Sequence, residues 1–445
     1  MTPGSGAFVV ATGVAWLLYW WGPSRLRREA LVLVSYAALL VLTPMTGIAV
    51  VAIGVVGWAD CRLQAERAPR VRRGVLTAGL VVVLVLLVAG TIFIRSEGSV
   101  RTLATSGLLI ASMHAVSLMV DSFREPGSLA TSLWDTLLFC GFFATVSVGP
   151  LTRMSRLDRS LRQAPQRPNL VLHSEALELA VVGAFKLLVV ASALAPTVGA
   201  GYLADISGDV RSMSVLGLLL WSSVVRIQSY LALSGSIDIA RAAGLTLNIR
   251  LPREVRRPLT ASVDVTDYWR RHHATFMAWA RDYVFRAFRS RASLGGWLPL
   301  ALTFLPLSLI HGLSIRWVLN ALLVATLVWW EVRSGRRAPR GRAARTWAVV
   351  RVWLLLTAVS IVAFGGSVAW HSLTTVQRWR DLAGVSDIAP SVVIAAVGLA
   401  LADWHSLEME RERLSRARDV VVGFAAVALL LWVGTSVVPP FAYRQ

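Results

Sequence analysis

Long runs of apolar residues alternate with short arginine-rich breaks along the whole chain. A membrane helix needs about 20 mostly apolar residues. That rule predicts spans at 7–22, 75–94, 103–120, 176–204, 212–240, 346–369 and 418–438. Residues 30–59 are apolar but broken near Pro44, which predicts a hairpin of two short helices. Residues 293–331 are similar, with the break around His311 and Gly312. Residues 389–404, bounded by Pro390 and Asp403, are short for a span. The pattern predicts an all-α, polytopic membrane protein of roughly 10–12 membrane segments.

The polar breaks orient these segments. Arginine clusters occur at Arg25–Arg28, Arg62–Arg73, Arg153–Arg167, Arg250–Arg257, Arg333–Arg345 and Arg411–Arg418. Cytoplasmic loops carry the excess of positive charge. Placing all six clusters inside puts the N-terminus, Asp205–Asp209 and Trp370–Asp387 outside, although Arg378 and Arg380 run against the rule. Met1–Gly6 carries no positive charge ahead of the first apolar run, so Ala7–Gly22 reads as a retained helix rather than a signal peptide. The chain divides into N-terminal membrane helices (1–125), a central core (126–335) and C-terminal membrane helices (336–445). No repeat links two halves of the sequence, which counts modestly against a secondary transporter.

Composition changes the reading of the charge. The net charge is +20 and the isoelectric point about 11.4. A basic balance of that size often marks a nucleic-acid binder. Here 56% of residues are hydrophobic, 16% are charged and the mean hydropathy is +0.61. A soluble chain could not bury so much apolar sequence, so nucleic acid is excluded as partner and the charge belongs to membrane-flanking loops. Two cysteines, Cys61 and Cys140, leave no disulfide framework and no Cys-based metal site.

Two segments are neither clean spans nor clean loops. Residues 132–168 pass from an apolar stretch through Val148-Gly149-Pro150 into a basic amphipathic tail. Residues 250–292 are rich in Arg, Trp and His. Such helices lie at the interface or tuck into the protein, and broken polar structure at membrane depth lines a cavity. Within the second segment, continuous helical spacing puts Trp269, His273, Phe276, Ala280 and Tyr283 on one mostly apolar face. His272 then lies about 100° away. Arg270 pairs in phase with Arg281, and Arg271 with Asp282. Taken by itself, such a helix reads first as an interfacial anchor with snorkelling arginines. His311 is an ionisable residue in an apolar run, Leu305–Ile310, and such residues are functional candidates by default. A structural histidine satisfied by a carbonyl fits that run as well.

Five motifs, in order, resemble the membrane-bound O-acyltransferase family, in its bacterial alginate O-acetylation and teichoic-acid D-alanyl transfer branch. They cover most of the chain. Ser112-Met113-His114-Ala115-Val116-Ser117-Leu118-Met119-Val120-Asp121 resembles the family's early helix ending in Asp. Phe142-Phe143 with Val148-Gly149-Pro150-Leu151-Thr152-Arg153 resembles "FFP…GPI.R". Tyr230, Ser234-Gly235 and Asp238-Ile239-Ala240 resemble "Y.DFSGYSDMA". Arg257-Pro258, Tyr268-Trp269-Arg270-Arg271-His272-His273 and Trp279 with Arg281-Asp282-Tyr283 resemble "RP…FWRRWH…W.RDY". His311-Gly312 resembles "WHG", and the ending Pro440–Gln445 is similar to the family's C-terminus. The chain differs from these patterns at Ala232, Ser236-Ile237, His272 and Ile310, and about four residues, one helical turn, are missing after Ala240.

The resemblance implies a fold of spans, re-entrant segments and amphipathic helices around a central tunnel. It implies His311 as catalytic histidine and His273 as the second active-site polar residue. Moving an acyl group from a thioester to a hydroxyl needs a base for the hydroxyl proton, and His273 could orient the hydroxyl or stabilise the oxyanion. Trp269, Tyr230, Ser234, Asp238 and Asp282 would line the tunnel. Arg270, Arg271 and Arg281 could meet the phosphates of the donor or lipid headgroups. No bound cofactor or metal is expected; the donor would be an acyl-CoA or acyl-carrier-protein thioester from the cytosol. The acceptor would be an exported glycan, cell-wall polymer, lipid-linked intermediate or secreted transferase, outside a bacterial plasma membrane. Two other readings stand beside this one: a transporter or flippase of anionic or lipid-linked material, and a non-catalytic scaffold of the same fold.

Overall fold

The computed structural model of the chain describes residues 3–65, 67–96, 101–126, 132–163, 167–198, 214–255, 258–288, 296–309, 315–335, 339–374, 382, 385–410 and 422–429. These residues are helical or irregular, with no strand among them. Among the described residues seven helices are long and apolar enough to cross a membrane, and Gly6–Trp21 and Trp297–Ser308 are shorter apolar helices. His311, Arg257 and Pro440–Gln445 lie outside the described residues.

The chain forms two compact units, residues 1–180 with 236–253, and residues 181–235 with 254–445. The first holds α1 (Gly6–Trp21), α2 (Arg27–Leu42), α3 (Pro44–Gln64), α4 (Pro69–Ser96), α5 (Arg101–Arg124), α6 (Leu133–Gly141) and α7 (Met154–Arg162). Pro44 opens α3, where its missing N–H costs nothing, so the break expected near Pro44 is present, but α3, at 21 residues, is long enough to cross a membrane and is not the short helix expected. Ser132 and Asp135 close a capping box that starts α6. Beyond α6, residues 142–153 are irregular and contain a cis Gly149–Pro150 peptide bond, with Gly149 at φ 95°. The amphipathic tail is α7, with Met154 and Leu157 buried and Arg156, Arg159 and Arg162 exposed. Arg28 ties three of these elements together through Asp135 (2.5 Å) and Asp158 (2.9 Å).

The second unit begins within α8 (Leu170–Ala184), which continues through a π-helical turn at Phe185–Ala191 into α9 (Ser192–Val198). It takes the first part of α10 (Val215–Thr246), as far as Gly235. A Cβ on Gly235 would meet the Gly183 carbonyl oxygen at 2.6 Å and Leu187 N at 3.0 Å. Only glycine permits that backbone approach beside the π-turn, which is a packing reason for the Ser234-Gly235 pair. Then come α11 (Val265–Arg271), α12 (Ala274–Ala280), α13 (Trp297–Leu309), α14 (Ile315–Arg333), α15 (Arg342–Thr374) and α16 (Val385–Glu410). The break expected in 293–331, around His311 and Gly312, lies outside the described residues. The stretch at 389–404 is not short: α16 runs through Pro390 and past Asp403 for 26 residues. Asp403 does not end the helix because its carboxylate is fully engaged where it stands.

Candidate functional site

The expected continuous helix over 269–283 is broken. α11 stops at Arg271, His272 is extended, and His273 has φ 51° and ψ 41° before α12 starts at Ala274. A left-handed histidine is uncommon and costs about 1–3 kcal/mol. The face assignments built on one helix therefore fail. His272 does not lie 100° from His273; their ring centroids are 4.2 Å apart. Arg270 and Arg281, and Arg271 and Asp282, no longer share phase.

The break has a physical cause upstream of His273, at Glu254. A helix start leaves backbone N–H groups without partners. Here Glu254 takes them. Its carbonyl accepts from Ala274 N (3.0 Å), and its carboxylate accepts from Thr275 N (3.2 Å) and the Thr275 hydroxyl. The other carboxylate oxygen stands 3.6 Å from His273 Nδ1. Glu254 is 4% exposed at its side chain. A carboxylate beside Nδ1 holds the ring's orientation, as in catalytic imidazoles. Sequence reasoning missed Glu254. Its signal is a single acid within Arg250, Arg253, Arg256 and Arg257.

Aromatic rings enclose the pair of histidines. Trp269 stacks on His273 at 6.5 Å and packs on Phe304 of α13 at 5.3 Å. Its indole N–H is buried and has no acceptor among the described residues. Tyr268 and Tyr230 flank His272 at 5.5 and 6.0 Å. Phe276 stands 6.4 Å from His273. Phe304 lies on the helix whose last residue, Leu309, precedes His311 by two positions. The start of α11 is held separately: Asp264 caps Asp267 N at 2.6 Å, and buried Glu331 of α14 accepts from Val265 N (2.9 Å) and Thr266 N (3.2 Å).

The other expected site residues have partners of their own. Tyr230 points its hydroxyl at Asp403 (3.4 Å). Ser234 is buried and donates to its own helix at Leu231 O (3.4 Å). Asp238 belongs to the first unit, where it pairs with Arg241 at 3.1 Å. Asp282 receives Arg281 at 2.9 Å and Arg286 at 3.3 Å.

The three arginines also differ. Arg270 is exposed. Arg281 is exposed too, and its hydrogen bond to Asp282 raises the guanidinium's pKa further. Arg271 is mostly buried, bonded to Pro258 O (3.0 Å) and Asp267 (2.9 Å). It lines two hollows, one of about 700 Å³ beside Thr260, Trp353, Leu399 and Asp403, the other of about 590 Å³ beside Arg345 and Thr346. Among the described residues no cluster of His, Cys, Asp and Glu could hold a metal ion.

Comparison with known proteins places this geometry in a family. The chain is 24% identical over 286 residues to an Azotobacter vinelandii protein named "probable alginate O-acetylase", covering 62% of this chain and 54% of the relative. It is 27% identical over 201 residues to a peptidoglycan O-acetyltransferase of Helicobacter pylori, covering 41% and 36%. It is 24% identical over 209 residues to a teichoic acid D-alanyltransferase of Streptococcus thermophilus, covering 45% and 49%. The matches thus span about half the length of these relatives or less. The family model for membrane-bound O-acyltransferases matches residues 92–368, which include both histidine motifs. With that match over more than half of its length, this all-α, multi-pass membrane chain belongs to the membrane-bound O-acyltransferase family.

Proposed function

We propose that the protein is an O-acyltransferase of the bacterial plasma membrane. It takes an acyl group, acetyl being the simplest candidate, from a cytosolic acyl-CoA or acyl-carrier-protein thioester. It delivers that group to a hydroxyl of an exported glycan, cell-wall polymer or lipid-linked acceptor, or to a secreted transferase. The observation that carries this reading is the helix break at His272–His273. It sets a strained histidine beside a buried carboxylate and an aromatic wall that includes Phe304, seven residues before His311 in the sequence.

In this mechanism His311 accepts the proton of the acceptor hydroxyl as its oxygen attacks the thioester carbonyl. The carbonyl becomes an oxyanion, toward which His273 supplies a hydrogen bond or positive charge. Collapse of that intermediate breaks the C–S bond, and the departing thiolate takes the proton back from His311. Glu254 orients the His273 ring. Arg271 meets the phosphate end of the donor, with Arg270 and Arg281 farther out.

The test uses membrane vesicles from expressing cells, supplied with radiolabelled acetyl-CoA and assayed for alkali-labile label in the envelope fraction. His311→Ala abolishes the label while the protein accumulates normally. Full labelling by that variant overturns the mechanism. Label-free vesicles from the wild type, with labelled donor of every thioester class, favour the scaffold reading suggested by Ala232 and Ile310.

A further inference from the structure

The histidine pair is braced from a part of the chain that the family match does not reach. Asp403 sits on α16, beyond residue 368 where the match ends. It is 4% exposed. An ionisable side chain within a span is costly and persists where partners occupy it. A carboxylate has about four acceptor positions, and Asp403 receives four donors: the Tyr230 hydroxyl at 3.4 Å, Leu259 N at 3.1 Å, Thr260 N at 2.9 Å, and the Thr260 hydroxyl.

Those donors belong to two places that flank the site. Tyr230 stands against His272, and His272 against His273. Leu259 and Thr260 belong to the turn after Pro258, whose carbonyl holds the Arg271 guanidinium. One carboxylate therefore fixes the wall behind the histidines and the anchor of the arginine at the end of α11. Capping the turn alone would not need the tyrosine.

We propose that Asp403 is a positioning residue for acyl transfer, so that the C-terminal span α16 is part of the active-site framework; this rests on the acyltransferase reading above. The test is the vesicle assay at varied acetyl-CoA concentration. Small displacements of catalytic groups cost up to about 100-fold in rate. Asp403→Asn, which keeps the volume but can no longer accept from all four donors, lowers kcat about 10- to 100-fold with KM within threefold. Tyr230→Phe lowers it by a similar factor. The double variant is no slower than the worse single one, because both remove the same link. A purely structural role gives multiplying losses that track protein yield and leave turnover per folded molecule unchanged, and that result overturns the proposal. If Asp403→Asn does not accumulate, Tyr230→Phe decides alone, since three donors still hold the carboxylate; wild-type kcat there overturns it. Absence of His311-dependent labelling in the wild type overturns the underlying reading instead, and this proposal with it.

Discussion

His114 and His273 both lie in signature motifs, and their surroundings differ in kind. His114, in the first unit, is 1% exposed. Its Nε2 accepts from Thr152 N at 3.3 Å, and its ring rests on Phe139 at 4.4 Å. An imidazole so used is a fixed neutral acceptor that holds the irregular segment after the Gly149–Pro150 bond against α5. His273, in the second unit, sits at a helix break in a left-handed conformation, with a carboxylate 3.6 Å from Nδ1. The first histidine spends Nε2 on the fold and is sealed from solvent. The second is braced at Nδ1 by a carboxylate and is 19% exposed at its side chain. Accessibility with an orienting partner, and not burial alone, is what makes His273 the candidate for chemistry.

The largest expected effect crosses the two. His273→Ala lowers acyl transfer about 100- to 1,000-fold, the range of a general acid–base or oxyanion contribution, with little loss of thermal stability. His114→Ala does the reverse. It orphans the Thr152 N–H, which costs about 1–3 kcal/mol, and the turnover of the remaining folded protein stays near wild type. Parallel measurement of labelling per folded molecule and of melting temperature separates them. If both variants lose rate equally at equal stability, the distinction between them is wrong.

Next in size is Glu254→Gln. The amide oxygen can still accept from Thr275, so the start of α12 survives. The charge beside His273 is gone, and the ring loses its orienting partner. We expect about a tenfold fall in kcat, since one charge-assisted contact is worth about 1.5–3 kcal/mol and part of it is kept. Glu254→Asp, shorter by one methylene but still charged, recovers some of the loss if orientation is the role. Equal activity of wild type and Glu254→Gln would leave Glu254 as a helix cap only.

A comparable energy, spent on packing, is expected at Gly235. Gly235→Ala pushes a methyl group against the Gly183 carbonyl, and overpacking of this kind costs about 1–3 kcal/mol. The effect belongs in melting temperature. A variant with unchanged stability and reduced turnover would instead tie the Ser234-Gly235 pair to chemistry.

What the sequence made legible follows from the range of the forces involved. Spans announce themselves because each needs a long apolar run within its own segment, and Pro44 marks its hairpin by local backbone chemistry. The break at His272–His273 has no such mark. No Gly or Pro lies between Trp269 and Tyr283, and the apolar period continues through it. The interruption comes from Glu254, a cap supplied by residues remote in sequence. Asp403 misled for the same reason. A charge at the edge of an apolar run looks like the end of a helix, unless the donors on Tyr230, Leu259 and Thr260 are known. The motif resemblance singled out His273; neither Glu254 nor Asp403 belongs to the residues that carried it.

The smallest effect expected is at Arg281, and it sharpens the division among the three arginines. Arg281 is 60% exposed and bonded to Asp282 at 2.9 Å. Exposed pairs of this kind contribute about 0–1 kcal/mol, and solvent screening puts this one at the low end. Arg281→Gln should leave melting temperature and kcat unchanged and shift the KM for acetyl-CoA by less than twofold. Arg271→Gln should raise that KM severalfold, because Arg271 alone of the three lines the hollows beside Thr260 and Arg345. The pair of KM values, measured from low to high salt, separates donor recognition from general attraction to a basic face. Attraction by exposed charge fades once the screening length falls below about 8 Å at physiological ionic strength, whereas a mostly buried guanidinium keeps its effect. Equal KM shifts for both arginines, vanishing together in salt, would assign the whole cluster to lipid headgroups.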